Sequence, residues 1–201
     1  MSLNLLVQKL PQTDKFGHAI RTDFRYWINY HLILEDKALD EISRHVMSLQ
    51  QVYPDYTPER HNEFSEGASE FVNGWVPPRP NAPTIKISQE KLMDWTFDAN
   101  DIIASFQQQY QIRLLSTALH WYEFIILLYS LAENTPMGYK MTYRGLVIPP
   151  EAHKDEKKRL QKIKASVRIG IRDGSEKELS NEEIMRLAEE RAAKIRAERA
   201  K

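Results

Sequence analysis

The 201-residue sequence contains no cysteine and only seven glycines. Without cysteine the chain can form no disulfide, use no thiolate nucleophile and build no cysteine-based metal cage, which fits a reducing compartment. The few glycines leave little for loops that cradle phosphates, and the sequence has neither a Gly-x-Ser-x-Gly elbow nor a Gly-x-x-x-x-Gly-Lys run. Composition therefore gives no support to the common hydrolase and nucleotide-binding sites.

Long apolar runs are also missing. No stretch reaches the roughly 18 uninterrupted apolar residues that a membrane span needs. Residues 1–15 lack the basic start and apolar run of a secretory signal. We therefore expect a cytosolic protein with no membrane partner.

Strand signals are scarce, and the helical period dominates. Only the short run at 83–87 alternates as a strand does, whereas elsewhere apolar residues recur every three or four positions. The segment ending near residue 132, capped by Ser116 or Thr117, is apolar on nearly every face, as is typical of the central helix of a bundle. These patterns predict an all-α fold, an irregular helical bundle with a charged C-terminal helical tail. The predicted core helices cover residues 18–35, 39–49, 57–74, 98–110 and 116–132.

Proline and charge divide the chain. Residues 77–83 contain four prolines and indicate a linker within a core domain of residues 1–150. That domain carries 13 basic and 17 acidic residues, whereas residues 151–201 carry 15 and 11. The capping-box pattern at 180–183 predicts a final helix whose thin apolar stripe needs a partner to become ordered.

The basic stretch at 154–164 raises the alternative of a nucleic-acid binder. Its lysines suit phosphates, yet no aromatic residue interleaves them to stack bases. Acidic residues are mixed in throughout, which is typical of a solvated or partner-binding helix. Nucleic acid is therefore the less favoured partner.

A second alternative is a metal-dependent enzyme that uses Asp98, Asp101, His120 and Glu123. Residues three apart share a helix face, and helical bundles build metal centres from facing helices. However, such centres repeat a Glu-x-x-His pair, and this sequence has a single His-x-x-Glu. The favoured interpretation is structural: Asp98 caps a helix, Asp101 lies in its first turn, and His120 hydrogen-bonds across the core. We expect no metal or cofactor.

The motif IRTDFRYWINYHLIL follows the N-terminal segment. Asp23 and Arg25 are too close in sequence to share a helix face, so an ion pair from either to another helix is expected. Phe24 and Trp27 are expected to face the core, as aromatic residues at this spacing usually do. Arg25 and Tyr26 are the candidates for an exposed binding role.

Two segments together resemble the gene-product-fifteen family of tailed phages that infect Gram-positive bacteria. They are the motif that starts at Ile20 and the stretch from Phe97 to about Gly145. The features that carry the resemblance are the Asp23-Phe24-Arg25 element, the segment Asp98 to Tyr110, the His120-Trp121 pair before Phe124, and Arg144, which matches the arginine that closes the family pattern.

This resemblance implies a non-enzymatic role. Proteins of the family resemble tail assembly chaperones, which coat the long tape-measure protein in the host cytoplasm and help recruit tail-tube subunits. The expected partners are the tape-measure protein, the tail-tube protein, an upstream tail assembly chaperone and further copies of the chain. The candidate partner-binding or family-motif residues are Asp23, Arg25, Tyr26, Asp98, Asp101, Tyr110, His120, Trp121 and Arg144.

Overall fold

The computed structural model describes residues 7–73 and 91–170 of the chain. Within these residues, regular secondary structure is helical apart from two isolated β-bridges, which confirms the all-α prediction. None of these helices is long and apolar enough to cross a membrane. The helices are α1 (Phe24–Glu35), α2 (Glu41–Val52), α3 (His61–Asn73), α4 (Ala99–Tyr110), α5 (Trp121–Tyr129), α6 (Pro136–Gly145) and α7 (Lys154–Ser166), with a 3₁₀ turn at Pro58–Arg60.

Short polar side chains determine where several helices begin. Asp23 caps α1, Asp40 caps α2 and Thr135 caps α6, each by accepting a hydrogen bond from an amide of the first turn. These bonds satisfy N–H groups that have no acceptor within the helix. Pro136 follows as the first residue of α6, where its missing N–H and fixed φ suit the helix start.

The first helix begins at Phe24, later than the predicted start near residue 18. Residues 14–18 instead form a turn around the carboxylate of Asp14, which accepts two backbone amides over 2.9 Å. Gly17 adopts a φ of 86° in this turn, a left-handed conformation that glycine reaches without strain. The apolar stripe of the predicted helix at 18–35 could not predict this turn. Periodicity does not show that an aspartate side chain can bond backbone amides outside a helix and so compete with helix formation.

The apolar helix α5 begins at Trp121, whereas the sequence favoured a cap at Ser116 or Thr117. His120 provides the cap, since its Nδ1 accepts the amide of Tyr122 over 3.1 Å. The chain just before α5 pairs with the chain just before α1 through an isolated β-bridge. This pairing between distant segments delays the helix start.

Aromatic rings fill the centre of the bundle. Phe124 is fully buried between Phe24 and Phe106, with ring centroids 4.4 and 5.3 Å away. Trp27, also fully buried, stacks on Phe71 with centroids 4.8 Å apart. Stacked rings of this kind contribute stability beyond the area that they bury. The expectation that Phe24 and Trp27 face the core is therefore confirmed.

Polar contacts join α7 to the end of α6, although no side chain of α7 itself is buried. Lys164 Nζ donates to the carbonyl of Leu146 over 2.9 Å, and Val167, just after the helix, is buried. The described residues up to Arg168 belong to one compact unit. The domain boundary at residue 150 stays a prediction. The predicted linker at 77–83, the run at 83–87 and the final helix lie outside the described residues.

We expect a chain that ends at residue 170 to be more stable than one that ends at residue 150. The shorter chain loses the Val167 carbonyl that accepts a hydrogen bond from buried Arg144. A buried donor left without a partner costs about 1–3 kcal/mol. Urea unfolding of both chains measures the difference, and equal free energies of unfolding would show that α7 and Val167 do not support the core.

Candidate functional site

A buried ion pair joins Asp98, at the start of α4, to Arg144 on α6. The guanidinium Nη1 lies 2.6 Å from Asp98 Oδ2, and Nη2 lies 2.9 Å from Oδ1. Both side chains are at most 2% exposed. Arg144 also donates to the carbonyls of Leu92 and Val167. Bidentate pairs of this kind are strong and fix geometry, so Arg144 ties together three separate segments.

Lys140 links the same carboxylate to Asp101. Its Nζ lies 3.1 Å from Asp98 Oδ1 and 2.5 Å from Asp101 Oδ2. Asp98 Oδ2 also accepts the amide of Asp94. The carboxylate makes no capping bond to α4, contrary to the sequence interpretation, because two cations and the preceding turn occupy it.

The environment of Asp98 determines its charge state. Burial alone would raise the pKa of this carboxyl group. Hydrogen bonds from Arg144, the Asp94 amide and Lys140 outweigh burial and hold the pKa below its usual value. Asp98 is therefore an anion locked into the fold, with no free electron pair directed at a substrate.

His120 uses both of its ring nitrogens within the fold. Nδ1 accepts the amide of Tyr122, so Nε2 carries the proton and donates to the carbonyl of Pro11 over 2.9 Å. Pro11 is 109 residues away along the chain, so His120 joins the start of α5 to the N-terminal segment, whereas the sequence interpretation expected a hydrogen bond across the core. Burial lowers the pKa of the ring, which favours this neutral form.

We expect the free energy of unfolding to fall in two steps as the pH is lowered. Burial depresses the pKa values of His31 and His120, so the stability they contribute is present above about pH 6.5 and is lost as the pH falls through their folded-state pKa. Asp14 and Asp98 have lowered pKa values as well, and their contribution is lost below about pH 4. Urea unfolding at pH 7, 5 and 3 measures both steps. A free energy that stays constant from pH 7 to 3 would contradict the expectation.

The residues of the metal hypothesis are not arranged as a metal site. Within residues 7–73 and 91–170, no three histidine, aspartate or glutamate residues are grouped so that they could hold an ion. Asp98 and Asp101 contact the cation of Lys140, and His120 contacts a backbone carbonyl. The geometry gives the metal-dependent enzyme no support.

Asp23 and Arg25 pair with each other, whereas an ion pair from either of them to another helix was expected. Asp23 lies before α1, so its side chain can turn back over the first turn, where Arg25 Nη1 is 2.8 Å away. Arg25 Nη2 donates to the carbonyls of Leu114 and Thr117 over 2.7 and 2.9 Å. Arg25 therefore holds the loop between α4 and α5 against the start of α1.

This loop forms one wall of an apolar groove between α1 and α4. Two adjoining cavities, of about 260 and 630 Å³, share Ile103, Leu114 and Leu115 in their lining. Leu115 is 80% exposed. The smaller cavity lies between α1 and α4, and the larger one continues along α4 and the loop, where polar residues also line it: Asn100, Gln107, Arg113 and Ser116. We call the two cavities together the α1–α4 groove. The buried side chains that line it are Phe24, Ile102, Leu114 and Phe124.

The other predicted residues have distinct surroundings. Trp121 is 2% exposed in the aromatic core. Tyr110 donates its hydroxyl to the carbonyl of Leu127 over 2.8 Å and so joins α4 to α5. Tyr26 is 40% exposed and faces the guanidinium of Arg21. Of the nine candidates, only Arg25 lines the α1–α4 groove.

Sequence reasoning missed the groove itself. Ile103 counted as one apolar position of a periodic helix, and Leu115 lies in a segment predicted as loop or helix start. The signal available in the sequence was the leucine pair at 114 and 115, which lies between two predicted helices. In the structure the first of these leucines is buried and the second is exposed.

Comparison with known proteins gave one finding. A family model described as "Bacteriophage Gp15 protein" matches residues 6–169. Neither a curated protein nor a solved structure matches the chain. The matched range includes all of α1 to α7, the Asp98–Arg144 pair and the α1–α4 groove.

Proposed function

Because the chain belongs to the bacteriophage Gp15 protein family, which comprises phage structural or morphogenesis proteins and is not known as an enzyme family, we propose that it is a tail assembly chaperone. It binds the tape-measure protein in the host cytoplasm and helps to recruit tail-tube subunits. An upstream tail assembly chaperone and further copies of the chain are additional proposed partners.

The observation that carries this proposal is the accessible α1–α4 groove. Asp98, Asp101 and His120, three of the four residues of the metal-enzyme alternative, are engaged in contacts that hold the fold together. The groove instead offers apolar side chains to solvent beside a helix. A rigid scaffold with an exposed apolar groove suits a protein that covers the apolar faces of a partner.

Co-expression with the tape-measure protein of the same phage tests the proposal. We expect the tape-measure protein to become soluble and to co-purify with the chain, because its apolar helix faces are covered. An unrelated helical protein of similar size is the control for a general effect of co-expression. The proposal fails if the solubility of the tape-measure protein is the same with the chain, with the control and alone.

A further inference from the structure

We propose that the α1–α4 groove docks one amphipathic helix of the tape-measure protein, and that this helix carries acidic residues beside its apolar face. The partner named here rests on the proposed function. The groove and its preference for acidic flanks rest on the geometry and charge of the described residues.

The length of the groove matches a short stretch of helix. On α4 its lining runs from Ala99 to Gln107, with Ile103 midway. At a rise of 1.5 Å per residue this distance is about 12 Å, or slightly more than two helical turns. A partner helix therefore fits with apolar residues at spacings of three, four and seven. The described residues offer no strand edge to which an extended peptide could add.

The groove presents a fixed apolar surface. Leu115 is 80% exposed, yet the backbone on either side of it is bonded to Arg25 through the carbonyls of Leu114 and Thr117. Ile28 and Ile103, which also line the groove, are partly exposed. Because the loop is already held in place, it loses little additional conformational entropy when a partner covers Leu115.

Charge selects the kind of helix. The charged residues that line the groove in the described part of the chain are Arg25 and Arg113, and no acidic residue lines it there. Arg25 is paired with Asp23, so the exposed guanidinium of Arg113 is the main source of selection. A helix with glutamate or aspartate beside its apolar face is complementary to this site, whereas a helix flanked by lysine is repelled.

Matched surface variants test the groove. Leu115→Asp places a charge in the groove, and Ile42→Asp is its control on α2, since Ile42 is 76% exposed and does not line the groove. Arg113→Glu reverses the local charge, and Lys37→Glu, also at an exposed residue, is its control. Circular dichroism and the melting temperature show that each variant folds.

Binding of the tape-measure protein and of two synthetic helical peptides is then measured. The peptides share one leucine face and differ only in flanks of glutamate or lysine. We expect Leu115→Asp to weaken binding of the tape-measure protein and of the glutamate peptide at least about tenfold, the equivalent of losing one buried leucine. Arg113→Glu should reverse the preference between the peptides. The control variants should stay within about twofold of the unaltered chain, as surface substitutions outside an interface do.

The outcomes separate the groove from the function. If the tape-measure protein binds and Leu115→Asp weakens this binding no more than Ile42→Asp does, the proposed docking site is overturned and the proposed function stands. If the tape-measure protein does not bind at all, the function and the named partner are overturned. Binding of the glutamate peptide then tests the docking site independently of the function. Peptide binding that does not depend on Leu115 and Arg113 overturns the docking site.

Discussion

Asp98→Ala should lower the free energy of unfolding by about 3–5 kcal/mol, because it leaves the guanidinium of Arg144 buried without its anion. Arg144 is 2% exposed and cannot move its charge into water while it still donates to Leu92 and Val167. Urea unfolding at neutral pH measures the change.

The matched control is Asp101→Ala, which removes a carboxylate from the same end of α4. The side chain of Asp101 is 31% exposed, and its partner Lys140 is 22% exposed. Ion pairs near the surface contribute at most about 1 kcal/mol, so this variant should remain close to the unaltered chain. An Asp98→Ala variant no less stable than Asp101→Ala would show that the buried pair does not hold the fold together.

Trp121→Ala should lower the free energy of unfolding by about 3–5 kcal/mol, as other large-to-small changes in protein cores do. Trp121 is 2% exposed, and its ring lies about 6 Å from those of Trp27, His31 and Trp95. The melting temperature should fall by roughly 10 °C, which thermal unfolding followed by circular dichroism measures. An unchanged melting temperature would show that the ring does not support the core.

Two further variants separate volume from hydrogen bonding at this position. Ile126→Ala, on the same helix but at a residue 38% exposed, is the control and should cost much less. The buried indole N–H of Trp121 has no acceptor among the described residues. Trp121→Phe removes that unsatisfied donor and keeps an aromatic ring, so it should be milder than Trp121→Ala. Equal losses in Trp121→Phe and Trp121→Ala would contradict this reasoning.

Local patterns predicted much of the fold. The apolar period of residues 98–110 predicted a helix almost identical to α4, and the apolar faces of Phe24 and Trp27 are buried as expected. Such features depend on neighbours three or four residues away, which the sequence displays directly. The start of α1 was missed because Asp14 forms alternative local hydrogen bonds, and the start of α5 because the chain before it pairs with the distant chain before α1.

The site could be predicted only in part, because its geometry depends on distant contacts. The family resemblance singled out Asp98 and Arg144, but their pairing across 46 residues is a property of the fold. In the same way, the position of Leu115 depends on Arg25, which bonds to the adjacent carbonyl across 89 residues. Periodicity cannot predict pairings at that range.

Sedimentation of the purified chain with the tape-measure protein of the same phage is the most direct test of the proposed function. We predict a stable complex with several copies of the chain on each tape-measure protein, because a protein that coats a long helical partner must bind repeatedly along it. Two components that sediment separately at every mixing ratio would contradict the proposal that this Gp15 family member is a tail assembly chaperone.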